Sequence, residues 1–492
     1  MRIASFNSSG LARSEPSAAI PMAPTSRCPV LPDEIMEDEI LARLPAKSVF
    51  ACRCVSRAWA AALSSDDFAD RYHAIHGGRP KILRVQDSSD GDRDRDRDRD
   101  DEKVVTVAVT GDCFPRFVTV FWEETPVDRP THPCVATTQC RGLVILEHVP
   151  TGIHFLCNPS TGQNRALPEG RTTGCRRPGD HVQRYASLGL GYDARARRHK
   201  VVRVYYRGGD DEGRPASFGC EVYVVNDSTE SWRPIAARPA GWVKQAKPSV
   251  FAQGHVYWLA YRNLGYRQEE IGMIIVRFSV CEETFATVPP PPGIQDELLH
   301  EWRCLTELAG RLCLFSGGNR AGYENQYDVW LLHEHGQGTV WDWDLHCRIE
   351  AGTASPEVNR VMRGNYDSYG QIDIIPLALT DNGRRILLTG SAWPDDIWAY
   401  TPSTGEIETV IGLKSLVGRN NWLLEVAVYE ESIAHPGRQP RGDIVLTSSP
   451  STQAMWFVLR LLSERTLRRL MCVCRSWENL IATELWYHTH AR

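Results

Sequence analysis

The spacing of apolar residues changes character three times along the chain. Between Leu31 and Leu63 it is helical: Ile35, Ile40, Leu41 and Leu44 share one face, then Val55, Trp59, Ala62 and Leu63 follow at intervals of four, three and one. Pro32 suits a first helical turn, Asp33 and Glu34 place acids there, and Pro45 predicts the end of that helix. Arg53 and Arg57 are left to face water. Phe68, Tyr72 and Ile75 continue the helical spacing to Gly77-Gly78, a helix end. Such a unit has too few apolar residues for an independent core.

From Val104 the period shortens to that of strands. Val104–Thr110, Gly142–Leu146, Lys200–Tyr206 and Glu221–Val225 are rich in β-branched and aromatic residues, separated by Gly, Pro, Asp and Asn turns. Two elements recur. One is a turn glycine leading into a strand: Cys140-Arg141-Gly142-Leu143, Gln253-Gly254-His255-Val256, Ala309-Gly310-Arg311-Leu312 and Asp381-Asn382-Gly383-Arg384. The other is a polar turn closing a strand: Asn158–Gly162, Asn226–Glu230, Cys281–Thr284 and Thr401–Gly405. Their alternation at about fifty to seventy residues predicts propeller blades, each sheet burying its faces against its neighbours. Between helices and strands lies a tract, 87–103, holding four Asp-Arg pairs from Asp92 to Arg99. It has nothing apolar to bury and reads as a solvated linker or loop over 77–103.

Composition narrows the function classes. The 492 residues carry 56 Lys and Arg against 61 Asp and Glu, a net charge of -5 without the basic excess expected of a nucleic-acid binder. No apolar run approaches the roughly eighteen residues of a membrane helix. Fifteen cysteines, scattered and odd in number, predict reduced thiols in nucleus or cytoplasm. Residues 1–30, rich in Ser, Ala and Pro, read as a disordered leader, with Met22 an alternative start.

Leu31-Pro32, Ile40-Leu41, Leu44-Pro45 and Cys54-Val55-Ser56-Arg57-Ala58-Trp59 occur in the order of the F-box signature, and 31–76 resembles an F-box, the module that docks a substrate receptor onto the Skp adaptor of a Skp/cullin/F-box ubiquitin ligase. The resemblance implies an adaptor interface of Leu31, Pro32, Ile35, Ile40, Leu41, Leu44, Pro45, Val55 and Trp59. Residues 104–430 resemble the F-box-associated interaction domain, a kelch-like propeller-type domain common in plant F-box proteins. That likeness is carried by Cys140–Leu143, Asn158–Gly162, Leu167-Pro168, Gly191-Tyr192-Asp193, Lys200-Val201-Val202, Ser231-Trp232-Arg233, Gly254–Trp258 and Asp328-Val329-Trp330.

Helical spacing returns from Phe457 to Trp486. Shifting the first module by 418 positions superposes Trp59 on Trp477, Val55 on Val473, Leu41 on Leu459 and Leu44 on Leu462. Residues 449–486 therefore read as a second, degenerate F-box-like unit, in which Leu31, Ile35 and Pro45 become Ser449, Gln453 and Ser463. Leu459, Leu462, Val473 and Trp477 are its candidate adaptor contacts. A second docking site, a structural helix pair and the residue of a duplication or gene fusion all remain open. The expected architecture is an α+β multidomain chain: an N-terminal helical F-box, a mostly-β kelch-like propeller-type domain and a C-terminal helical F-box-like repeat.

Catalytic signatures are sparse. Gly189-Leu190-Gly191-Tyr192-Asp193-Ala194 fits a dinucleotide loop, but a strand rather than a helix follows it. His333 and His335 share a strand face without a third ligand at known spacing, and Cys52/Cys54 and Cys472/Cys474 read as buried thiols, so no metal or cofactor is expected. Pro289–Pro292 reads as a stiff loop, Arg441-Gly442-Asp443 would matter only outside a cell, and Trp341-Asp342-Trp343-Asp344 resembles WD repeats without their period. The expectation is a non-catalytic substrate receptor that binds the Skp adaptor, and through it cullin, and an unidentified target protein, without nucleic acid or membrane. The alternatives are a propeller enzyme acting on a carbohydrate or small molecule in its funnel, and an adaptor-binding protein acting outside a ligase.

Overall fold

A computed structural model describes residues 40–54, 57–87, 104–111, 114–121, 133–148, 153–170, 186–207, 217–243, 248–261, 273–292, 294, 303–318, 326–335, 340–350, 374–390, 396–412 and 426–437. Leu31, Pro32, Ile35, Val55, the Asp-Arg pairs and the whole of 449–486 lie outside them.

The described part of the N-terminal module is a 3-10 turn at Leu41–Arg43, α1 (Ala46–Cys52), α2 (Arg57–Ala62) and α3 (Asp66–His76). Pro45 is therefore the residue before a helix rather than its end: it caps the N-terminus of α1, where a missing N–H costs nothing. Among the described residues twenty-five strands follow in order. They are β1 (Lys81–Asp87), β2 (Val104–Gly111) and β3 (Phe114–Phe121); β4 (Pro133–Val135), β5 (Val144–His148), β6 (Ile153–Asn158) and β7 (Gln163–Ala166); β8 (Ala186–Asp193), β9 (Arg198–Arg207), β10 (Ser217–Val224) and β11 (Arg233–Ile235). Next come β12 (Trp242–Val243), β13 (Val250–Ala252), β14 (His255–Tyr261), β15 (Met273–Ser279) and β16 (Thr284–Val288); β17 (Arg303–Leu308), β18 (Arg311–Gly318), β19 (Gln326–His335) and β20 (Val340–Glu350). The last are β21 (Ile374–Thr380), β22 (Arg385–Gly390), β23 (Asp396–Thr401), β24 (Glu406–Gly412) and β25 (Val426–Tyr429).

Among the described residues these strands make six antiparallel sheets. Five are consecutive runs, and the sixth is closed by the two ends of the domain, in the order β25-β1-β2-β3. Shared cores join the sheets into a ring. Leu83, Val144 and Tyr429 link the closing sheet to β4–β7; Ile145, Leu190 and Val201 link that sheet to β8–β11; Val204, Trp258 and Phe278 continue to β12–β16. Leu259, Leu314 and Leu332 reach β17–β20, Val329, Ile386 and Leu388 reach β21–β24, and Ile397, Val426 and Ile82 return to the start. Sheets packed on both faces bury nearly every position, and β8 and β14 are accordingly buried along five successive residues rather than at alternate ones.

β1 corrects the expected linker. Lys81–Asp87, at its start, is a strand paired on both sides, so the sheet domain reaches back well before Val104. Lys81 lies opposite Tyr429. Because β1 and β25 are antiparallel, the chain entering β1 from the helices and the chain leaving β25 emerge at the same end of the sheet. The turns after the inner strands open there too: Arg141, between β4 and β5, and Arg197, between β8 and β9, both reach α3. Both recurrent sequence elements therefore lie on the face that carries the helices. The other strand ends, such as His148 and Ile153, open on the opposite face.

Candidate functional site: the helical module and its seat on the propeller

The sequence sets the helix ends of the module. Ser65 caps α3, its Oγ accepting the Phe68 N–H at 3.2 Å, with the acids Asp66 and Asp67 in the first turn, charges placed to suit the helix dipole. Gly77 closes it; a side chain there would begin 2.6 Å from the His73 carbonyl oxygen. The helices pack Leu41, Leu44, Val49, Leu63, Phe68 and Tyr72 into one core, and the Tyr72 hydroxyl donates to the Leu44 carbonyl at 2.9 Å.

Of the nine residues expected at an adaptor interface, the structure describes five. Leu41 and Leu44, 1% and 4% exposed, are spent on the module's own core, while Ile40, Pro45 and Trp59 keep partial exposure. Arg53 departs from the expected outward orientation. It turns in, donating from Nη2 to the carbonyls of Leu63 at 2.9 Å and Ile433 at 3.4 Å, and burial lowers its pKa. Arg57 is exposed.

Ile433 belongs to a segment that the sequence left unassigned, the residues after β25. It is 4% exposed and is part of the helical core. Beside it Glu431 accepts the Ala46 N–H at 2.7 Å, capping α1 from 385 residues away, and takes the Lys81 ammonium at 2.6 Å. Burial pushes the Glu431 carboxyl up, but Lys81 and the Ala46 N–H outweigh it and hold the group below the ordinary carboxylate value. On the propeller side Asn158 donates from Nδ2 to the carbonyls of Ser432 and Ala434, at 3.0 and 2.7 Å, while its Oδ1 accepts from Ser160 N in an Asx turn. Ser160 Oγ accepts the Ser432 N–H at 3.0 Å. Asn158–Gly162 is legible as a turn; that its asparagine holds another segment is not.

A second contact lies along α3. Asp70 takes Arg141 at 2.7 Å and Arg197 at 2.6 Å, and Arg197 also reaches Asp67 at 2.8 Å. Burial raises the Asp70 pKa, yet hydrogen bonds from Arg141 and Arg197 bring it below its usual value.

Other motif residues are structural. Gly189 and Gly191 lie in β8, where a Cβ would fall 2.4 Å from Trp258 and from Val280 respectively, so these glycines serve packing between sheets. Trp232 Nε1 donates to the Pro168 carbonyl at 2.6 Å, and Asp193 pairs with Lys200 at 2.8 Å. Trp343 Nε1 donates to the Pro289 carbonyl at 2.8 Å, fixing the proline loop. His333 pairs with Asp344. Among the described residues no group of three His, Cys, Asp or Glu could hold a metal, and no helix is long and apolar enough to cross a membrane.

Where the inner strands converge is a cavity of about 50 Å3, room for a few waters, lined by residues including Val135, Leu305, Ile375 and Ala427. Glu307 is the acid in that lining; its carboxylate accepts the Gly310 N–H of the adjoining turn, and burial raises its pKa.

Comparison with known proteins places these parts. The F-box domain model matches residues 30–71 and again 454–489, and the F-box associated beta propeller domain model matches 121–355. The F-box/LRR-repeat protein At2g43260 of Arabidopsis thaliana is 29% identical over 279 residues, covering 54% of this chain and 56% of its own length. The F-box protein CPR1 of the same plant is 25% identical over 323 residues, covering 63% of this chain and 71% of its own. Among solved structures, the Malassezia sympodialis allergen Mala s 1 aligns over 56% of this chain and 77% of its own, at 15% identity and a TM-score of 0.29. A helical core that closes over a ring of antiparallel sheets, with a family match to each part, shows that this chain carries an F-box domain and an F-box associated beta propeller domain.

Proposed function

We propose that the chain is the substrate-recognition subunit of a Skp/cullin/F-box ubiquitin ligase, acting in the nucleus or cytoplasm. The F-box docks the Skp adaptor, and through it cullin; the propeller holds a target protein. The observation that carries this reading is the seating of the F-box helices on one face of the sheet ring, which leaves the opposite strand ends for a second protein. The mechanism is proximity: holding a target raises the effective concentration of its lysines near the charged conjugating enzyme, and no residue of this chain makes or breaks a bond. A funnel enzyme acting on a carbohydrate would need converging acids or histidines, whereas the central cavity is lined mainly by aliphatic side chains beside a single acid.

Binding of purified Skp adaptor to the full chain tests the proposal, comparing wild type, Leu31→Ala with Pro32→Ala, Leu459→Ala with Trp477→Ala, and all four changes together. Loss of binding with the first pair alone assigns docking to the N-terminal F-box and makes the 449–486 unit structural or vestigial. Loss only when all four are changed assigns two docking sites. Full binding by the quadruple variant refutes the docking assignment.

A further inference from the structure

The eight residues after β25, Glu430–Gly437, connect three parts of the molecule that are far apart in sequence. Ile433 fills the F-box core and its carbonyl accepts from Arg53. Glu431 caps α1 and pairs with Lys81 at the entrance to β1. Ser432 and Ala434 are held by Asn158 and Ser160 of the β6–β7 turn, His435 meets Gln163 Nε2 at 3.1 Å, and its carbonyl accepts from Asn226 Nδ2 of the next sheet at 3.4 Å. Ala434 packs on the core between those two sheets. The segment can lie there only if β25 is in its place beside β1, because Tyr429, the last residue of β25, is opposite Lys81.

We propose that Glu430–Gly437 is a coupling strap that makes folding of the F-box helices conditional on closure of the propeller. A chain whose sheet ring is open cannot deliver Ile433 and Glu431, so the F-box core forms only when the target-binding domain is complete. Competence to dock the adaptor would then report an intact receptor. That last clause rests on the proposed ligase role; the folding linkage does not.

The turn glycines supply a controlled test. Gly142 and Gly254 occupy equivalent turns with φ of +81° and +79°, each preceded by a residue of positive φ, the pattern of a type I′ hairpin turn. A Cβ on Gly254 would meet nothing within 4 Å, whereas one on Gly142 would lie 2.2 Å from Ser432 Cβ and 2.6 Å from the Glu430 carbonyl oxygen. Gly142→Ala and Gly254→Ala therefore impose the same backbone strain, and only the first pushes on the strap. Hydrogen exchange read by mass spectrometry on the full chain should show amides of α1–α3 exchanging about tenfold faster in Gly142→Ala than in Gly254→Ala. Equal exchange of α1–α3 in the two variants overturns the proposal.

Wild-type protein provides a reading independent of any variant. In a denaturant series below the unfolding transition, α1–α3 and the strap should open together, with one free energy and one denaturant dependence. Opening of α1–α3 at lower denaturant while the strap stays protected overturns the coupling. Neither measurement uses the adaptor, so a failure to bind it would count against the ligase role alone.

Discussion

Lys81 Nζ lies 2.6 Å from Glu431 Oε2, joining the first residue of β1 to the second residue beyond β25. The pair sits where the F-box enters the propeller and where the chain leaves it. Both partners are largely shielded, with side chains 28% and 15% exposed, so the contact is less screened than a surface pair.

Its pH dependence has a definite sign. In the unfolded chain Glu431 takes up a proton near the ordinary value of 4.5, whereas in the folded chain it stays ionised to lower pH. Its stabilising contribution is complete above that value and is lost as pH falls through the lowered folded one. Melting curves of wild type and Glu431→Gln should differ most at neutral pH and converge below pH 4.5. A gap that stays constant down to pH 3 would mean that the charge is not its source.

His199 contributes in the same direction by a different route. Burial lowers its pKa from 6.5 to about 3, Arg141 adds to the shift, and the ring lies edge-on to Tyr192 at 5.1 Å. Folded His199 is neutral, whereas unfolded His199 is protonated below 6.5, so its contribution is full above 6.5 and declines as pH falls toward 3. His199→Gln should lack that component, which comparison of denaturation midpoints at pH 7 and pH 5 would reveal as a smaller drop than in wild type.

Arg203 and Glu221 face each other across β9 and β10, at 2.5 Å and with Glu221 fully buried. Arg203→Met would strand that carboxylate and should cost about 3–5 kcal/mol in urea unfolding. The conservative Arg203→Lys should recover part of the loss. Gly170 is adjacent for a reason: a side chain there would begin 2.0 Å from Arg203 Nη1.

Gly189→Ala distinguishes packing from ligand binding. A methyl at this position meets the Trp258 ring and Val256 and should destabilise the fold by about 1–3 kcal/mol. Nucleotides should protect neither wild type nor the variant against heat; a rise in melting temperature with NAD would restore the dinucleotide reading of this loop.

Local chemistry made much of this molecule legible. Short-range rules mark the apolar runs of the strands, the turn glycines at 142, 254, 310 and 383, and the helix end at Gly77, because each depends on the backbone conformation of a few neighbouring residues. The F-box signature is likewise a local pattern. Lys81–Asp87 is hard to read as a strand because KILRVQD is short, charged and next to a low-complexity tract; it is one because it pairs with β2 beyond that tract and with β25, over 340 residues away.

The tertiary structure decided how the two domains are joined. Glu430–Gly437 has one large aliphatic residue, Ile433, and no periodicity, so no sequence rule distinguishes it from an ordinary loop. The inward turn of Arg53, the burial of Leu41 and Leu44 and the second hydrogen-bonding role of Asn158 were hidden for the same reason. Sequence spacing determines which residues can share a face of one element; which distant segment then covers that face depends on where closing the ring brings the two ends of the chain.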